Sequence, residues 1–359
     1  MSALQSTPGP AGTGRREDAG ENSSPADGGL RIGIDTYGLL PLGLAPLDLL
    51  AWACEHGAEG VQFSGLTEEE KTLVDSGYLA EMRAFCESEN LYLEWGGASH
   101  IPRDMQSWAP ADTFAVNRRA AEQAAVLGTR VVRSCSGGLM RWDPASPETD
   151  VLLAETARAL CEQRSMLRDH DVILSLELHF EFTTFELLRL FEMCEAEPGD
   201  WLGICLDTMN VLTMLEEPVA ATRRVLPWVT STHVKDGAVA LTGEGLMTFP
   251  AAIGTGIVNL AGICDLLRGT HGTMNLSIED HGGSFLLPIF ETRFMAQFPD
   301  LHPEEYSTLK ELAELTAGLI ADGSCAMTGR EEWPAICEAR MRADLEALRD
   351  LVFPAGEAI

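Results

Sequence analysis

Positive charge is what this 359-residue chain has least of: 25 Lys and Arg stand against 55 Asp and Glu, a formal net charge of −30. Binding nucleic acid over a broad surface needs Lys and Arg in excess, so that class of partner is excluded. A small anionic substrate is compatible with such a field only where an Arg, a Lys or a metal offsets it locally. No apolar run reaches the roughly 18 residues of a membrane-spanning helix, and no membrane partner is expected. No Gly-rich phosphate cradle or basic cluster stands out, which favours an unphosphorylated substrate. The nine cysteines form no Cys-x-x-Cys pair, and an odd number is no disulfide framework. Most lie in apolar stretches, as buried free thiols do, and the expected location is a reducing cytoplasm.

What is present suits a globular α/β chain. Hydrophobic residues make up 45% of the composition, enough for a full core, and about 250 residues is typical of a one-domain α/β barrel. Residues 1–28 are rich in Gly, Ser, Pro, Ala and charge and cannot offset their ordering entropy, so they read as a disordered tail. They contain no apolar stretch of the kind a signal peptide needs.

From residue 29 strand and helix patterns alternate. Apolar runs at 32–36, 61–64, 91–95, 129–134, 172–177, 202–206, 228–233 and 273–279 read as eight buried parallel strands. Helical patterns fall between them: 47–56, a long helix opening at the acidic run 67–70, 112–127, 148–169, 184–194, 218–226 and 260–267. In the helix at 184–194, Phe185, Leu188 and Phe191 mark the buried face. Residues 236–256 read as a long loop, and the eighth helix falls at 303–320. The expected architecture is a single (β/α)8 TIM barrel over residues 29–322. Residues 323–359 form a C-terminal helical extension, with a helix at 331–351 that packs on the barrel wall or supplies a homo-oligomer contact.

Four strands end in a residue able to bind a metal: Glu177, Asp207, His233 and Glu279. Strand C-termini of a closed barrel converge on one mouth. Three carboxylates with one imidazole suit Mn²⁺ first, then Mg²⁺ or Co²⁺, better than a structural zinc. The plain alternative for Glu177 and Asp207 is helix N-capping, and for His233 a satisfied core position.

Placed in that order, the four residues resemble the ligand set of the xylose isomerase-like barrel superfamily. His233-Val-Lys-Asp and the Gly-x-Gly loop in Pro250-Ala-Ala-Ile-Gly-Thr-Gly-Ile-Val strengthen the resemblance, which covers about residues 30–320. It implies one divalent metal ion and a small sugar or keto-acid substrate. Ketose epimerases, hydroxypyruvate isomerases, dehydratases, keto-sugar acid decarboxylases, C-glycoside-cleaving enzymes and apurinic endonucleases all use this barrel, so fold does not fix reaction. The implied activity is a sugar isomerase or epimerase working through a metal-stabilised enediolate, with a lyase of the same superfamily as the alternative. Related epimerases carry Asp-x-x-His after strand six, whereas Asp207-Thr-Met-Asn210 stands here. With Glu177-Leu-His179, this looks more like the decarboxylase and C-glycoside-cleaving branch. A repair endonuclease would need several further histidines.

Around the ligands, Glu177, Glu279 and His179 are the candidate proton-transfer groups. Alternation puts His179 on the same side of the strand as Glu177. Asn210, Lys235, Arg133 and His281 are the candidate substrate contacts, with Lys235 and Arg133 suited to an enolate or carboxylate. Trp95 and Trp142 could stack on a sugar face or simply pack, His100 is a weaker candidate, and Cys205 reads as packing.

Overall fold

The computed structural model describes residues 29–67, 69–270 and 272–354. The expected tail at 1–28 lies outside the described residues. Eight parallel strands close a barrel: β1 (Leu30–Asp35), β2 (Gly60–Gln62), β3 (Tyr92–Ala98), β4 (Val131–Ser134), β5 (Ile173–Glu177), β6 (Leu202–Asp207), β7 (Val229–Val234) and, after an excursion, β10 (Met274–Ile278). β10 pairs with both β7 and β1 and completes the ring. Every residue of β5 and β6 is buried, as expected of strands covered on both sides.

Local chemistry sets where the helices start and stop. Thr183 and Glu186 form a reciprocal capping box that opens Thr184–Met193. Gly128, in the left-handed region, ends Phe114–Leu127 just before β4. The helix expected from residue 67 is broken in two, Glu70–Leu73 and Ser76–Glu89. Asp75 divides them because its side chain accepts from Tyr78 N at 2.9 Å and caps the second. On Thr184–Met193 the inward face is Leu187, Leu190 and Phe191. Phe185 is only partly buried, and the Arg224 guanidinium covers its ring at 3.7 Å.

Two readings of the sequence need correction. Residues 236–256 are not a loop. β8 (Asp236–Leu241) and β9 (Leu246–Ala251) form an antiparallel hairpin, and β11 (Phe285–Leu287) adds to its edge as a third strand. The two last long helices also exchange roles. Trp333–Val352, not Pro303–Asp322, packs on β1, β10 and the helix Leu260–Arg268, closing the helical ring, while Pro303–Asp322 lies against β8. Trp52 Nε1 and Arg349 tie Trp333–Val352 to the first helix, Pro46–Glu55, and its following turn. No helix of the described residues is long and apolar enough to cross a membrane, and all nine cysteines are free thiols.

Candidate active site

Strand geometry brings the four expected ligands together. In the ladders Asp207 of β6 stands beside His233 of β7, and His233 beside Ser277 of β10, so the ends of β5, β6, β7 and β10 share one rim. Glu177, Asp207, His233 and Glu279 are all buried, and each offers a ligand atom within 4.8 Å of the others. His233 Nδ1 lies 3.1 Å from Glu177 Oε1 and 3.4 Å from Glu279 Oε2. Glu279 Oε2 is buried and makes no geometrically sound hydrogen bond, although the Lys235 ammonium touches it. A dense set of three buried carboxylates and one imidazole fits a hard divalent cation with oxygen and single-imidazole ligation.

The charges around this cluster hold Glu177 and Glu279 ionised. Burial alone would raise the Glu177 carboxyl, but Arg133 and His233 keep it well below the usual carboxylate range. Arg133 donates to Glu177 Oε2 at 2.6 Å and to Ser64 O at 2.9 Å. Burial likewise opposes ionisation of Glu279, and Lys235 and His233 bring it down to about 2. Behind the cluster His233 Nε2 meets Gln62 Oε1, whose amide nitrogen donates to Glu94 at 2.5 Å. An outer partner of this kind fixes the orientation of a ligating imidazole. Asp207 Oδ1 accepts from Met209 N and Asn210 N and shapes the turn after β6, while Oδ2 faces Lys235.

A cavity of about 450 Å³ opens above the cluster, lined by Glu177, Glu279, His179, Arg133, Lys235 and His281 among others. The family model describing a xylose isomerase-like TIM barrel matches residues 50–312, most of the chain. The chain belongs to this family. Similar to this xylose isomerase-like barrel is YihM, an uncharacterized protein of Escherichia coli strain K12, 22% identical over 219 residues; the match spans 58% of this chain and 61% of YihM. A D-psicose 3-epimerase solved with D-tagatose, from Clostridium cellulolyticum H10, is similar in fold with TM-score 0.55 and 12% identity, covering 79% of this chain and 98% of its own. A probable 3-DHS dehydratase of Bacillus anthracis has TM-score 0.54 and 17% identity, covering 70% and 92%. At such identities the likeness is one of fold.

Within this xylose isomerase-like barrel the other expected residues separate into two groups. His179, Arg133, Lys235 and His281 line the cavity with Glu177 and Glu279. Asn210 does not: its side chain donates to Leu178 O at 3.2 Å, holding the turn after β6 against β5. Trp95 is buried and donates to Gln123, and Trp142 packs on Phe180 and Phe294. Neither stacks on the cavity. Cys205 is buried on β6. Burial, then the Lys235 charge, pushes His281 down to about 4, so it is a neutral ring whose Nδ1–H donates to Gly282 O at 2.8 Å.

Two features of the site escaped the sequence. Asp236, next to Lys235, accepts from the backbone N–H groups of Gly237, Gly254, Gly256 and Val258 and folds the Gly-x-Gly loop around itself. A Cβ at Gly256 would lie 2.2 Å from Asp236 Oδ1, so no larger residue fits. The other is a buried hydrogen-bonded chain behind His179. Glu181 accepts from Ser136 Oγ at 2.5 Å and faces His100 Nε2 at 2.7 Å, and His100 Nδ1 meets Ser134 Oγ at 2.6 Å. Burial works against ionising Glu181, yet His100 and His179 hold its carboxyl below the usual value. With Glu181 ionised, Ser136 spends its only proton there, so its oxygen accepts from His179 Nδ1–H at 3.2 Å. In the neutral ring this tautomer leaves the Nε2 lone pair free.

Proposed function

We propose that this chain is a divalent-metal-dependent isomerase or epimerase acting on a keto sugar or a related hydroxy-carbonyl compound. The observation that carries the reading is the convergence of Glu177, Asp207, His233 and Glu279, all buried, at one barrel rim. Mn²⁺ is the first choice of ion, with Mg²⁺ or Co²⁺ as alternatives; when bound, it would polarise the substrate carbonyl beside its neighbouring hydroxyl. The chain's own residues do the rest. Glu177, Glu279 and His179 face the cavity and are the groups to take the proton from the adjacent carbon and return it to the opposite face or to the neighbouring carbon. Arg133 and Lys235 offset the negative charge that develops on the enediolate oxygens. His179, with Nε2 free, is suited to be the base.

A lyase outcome at the same centre is the second reading. It is favoured by Asn210, which stands where related epimerases carry a histidine and bonds to Leu178 O instead of lining the cavity. A product assay separates the two. The purified chain, stripped of metal and reloaded with Mn²⁺, is incubated with ketoses, 3-keto sugars and keto-sugar acids. Metal-dependent interconversion of ketoses or keto sugars supports the isomerase, and release of CO₂ or water supports the lyase. Equal turnover with and without metal would sink both.

A further inference from the structure

We infer that the substrate carries a carboxylate, and that Arg330, in the segment between the two last long helices, binds it at the barrel mouth. The inference rests on the function proposed above and narrows it to the acid members of the hydroxy-carbonyl class. The cavity wall is the starting point. Its only acidic residues are Glu177 and Glu279, both among the proposed ligands, whereas Arg133, Lys235 and Arg330 all line it. Arg133 is committed to Glu177, and Lys235 to Asp207 and Glu279. Arg330 has no hydrogen bond or ion pair among the described residues. With a divalent ion on the ligand set, the cavity gains a local surplus of positive charge inside a chain of net charge −30. Such a surplus in a cleft draws and holds an anion; a neutral sugar has no need of it.

The position of Arg330 is built rather than incidental. Gly283 N donates to Thr328 O at 2.8 Å. Gly283 sits at φ +92°, where a Cβ would come within 2.8 Å of Arg330 Cγ and Nε. The Arg330 stem therefore lies in the space left by the missing side chain, directly after Glu279-Asp280-His281. Both flanks are anchored: Cys325 is buried, and Trp333 Nε1 donates to Gly38 O at 2.8 Å. The guanidinium fork matches a carboxylate with two parallel hydrogen bonds, which an ammonium cannot do. Arg330 lies beyond the residues matched by the family, so the contact belongs to this chain's own C-terminal segment.

The test is isothermal titration of the Mn²⁺-loaded full chain with D-fructuronate and with D-fructose, which differ by a carboxylate in place of a hydroxymethyl group. The wild-type chain is expected to bind D-fructuronate at least about tenfold tighter, the effect of one charge-assisted bidentate contact. Arg330→Gln erases that preference and leaves D-fructose affinity within about twofold, while Arg330→Lys keeps part of it. Arg330 is exposed, and circular dichroism of each variant checks that the fold is kept. Equal binding of the two sugars by the wild type, no binding of D-fructuronate, or an unchanged preference in Arg330→Gln overturns the inference. Metal content of the same samples reports separately on the proposed centre: a chain that takes up no Mn²⁺ refutes the function, and the carboxylate preference decides the role of Arg330.

Discussion

The Lys235 ammonium lies 2.9 Å from Asp207 Oδ2, with both groups buried, and it also touches Glu279. One protein cation thus bridges two of the four residues proposed to hold a metal ion. Burial would discharge the amine, but Asp207 and Glu279 hold its pKa well above the ordinary lysine value. Removing it leaves buried carboxylates without their counter-charge, which is costly unless another cation takes its place.

Lys235→Met is therefore expected to lower the melting temperature of the metal-free chain by several degrees and to enlarge the rise on adding Mn²⁺. Thermal unfolding with and without the ion checks this. A variant whose Mn²⁺-dependent rise is smaller than wild type contradicts it.

His233→Ala deletes the only imidazole of the set and should reduce bound divalent metal to a small fraction of one ion per chain. Elemental analysis after dialysis measures it. Glu94→Gln, two hydrogen bonds away through Gln62, should retain most of the metal.

Ser136 and Glu181 orient His179 without lining the cavity with their carboxylate or hydroxyl groups. Ser136→Ala and Glu181→Gln are expected to lower kcat about 10- to 100-fold with KM nearly unchanged. His179→Ala should cost about 10²- to 10⁴-fold, the range for a general base. Steady-state kinetics on whichever substrate turns over decides it, and a pure KM effect in Glu181→Gln would count against the orienting role.

Asp344 on Trp333–Val352 is raised to about 7 by burial, although Arg340 and the Ile253 N–H favour its charged form. A carboxyl raised on folding stabilises fully below its unfolded pKa, and that contribution is lost as pH climbs through about 7. At most about 4 kcal/mol is involved. Stability should fall between about pH 4 and pH 8, and Asp344→Asn should flatten the fall. Denaturant midpoints across that range would show it.

Trp201 is fully buried just before β6, and its Nε1–H has no hydrogen-bond partner among the described residues. Trp201→Ala should cost about 3–5 kcal/mol by leaving a large cavity. Trp201→Phe should cost far less, because it also removes an unsatisfied buried donor. Equal losses in chemical denaturation would show that the orphaned indole N–H carries no penalty.

The barrel and the four residues gathered at its rim were legible because strand ends are a local signal. Each of Glu177, Asp207, His233 and Glu279 closes an apolar run, and closure of the ring alone brings those ends together. The hairpin β8–β9 was hidden by Gly237, Gly243 and Gly245, which resemble loop punctuation, and its third strand arrives from 285–287. The helix at 331–351 was expected on the barrel wall, where it does pack, but a helical pattern does not say which strands it covers, so it was placed outside the eight-fold ring. Asn210 was read from its position in a motif, whereas its side chain answers to a carbonyl on the neighbouring turn. The Ser136–Glu181–His100 chain depends on three loops that meet only in the folded barrel, and no spacing announces it.

Because Trp333–Val352 covers β1, a strand synthesised long before that helix waits for it before its outer side is sheltered. Vectorial synthesis cannot finish this barrel piecemeal. A nascent chain stalled near residue 330 would present the back of β1 and the helix Pro46–Glu55 to chaperones, and the segment that carries Arg330 would still lack its downstream anchor. Completion of the cylinder and presentation of that arginine at its rim are thus the same late event in the life of the polypeptide.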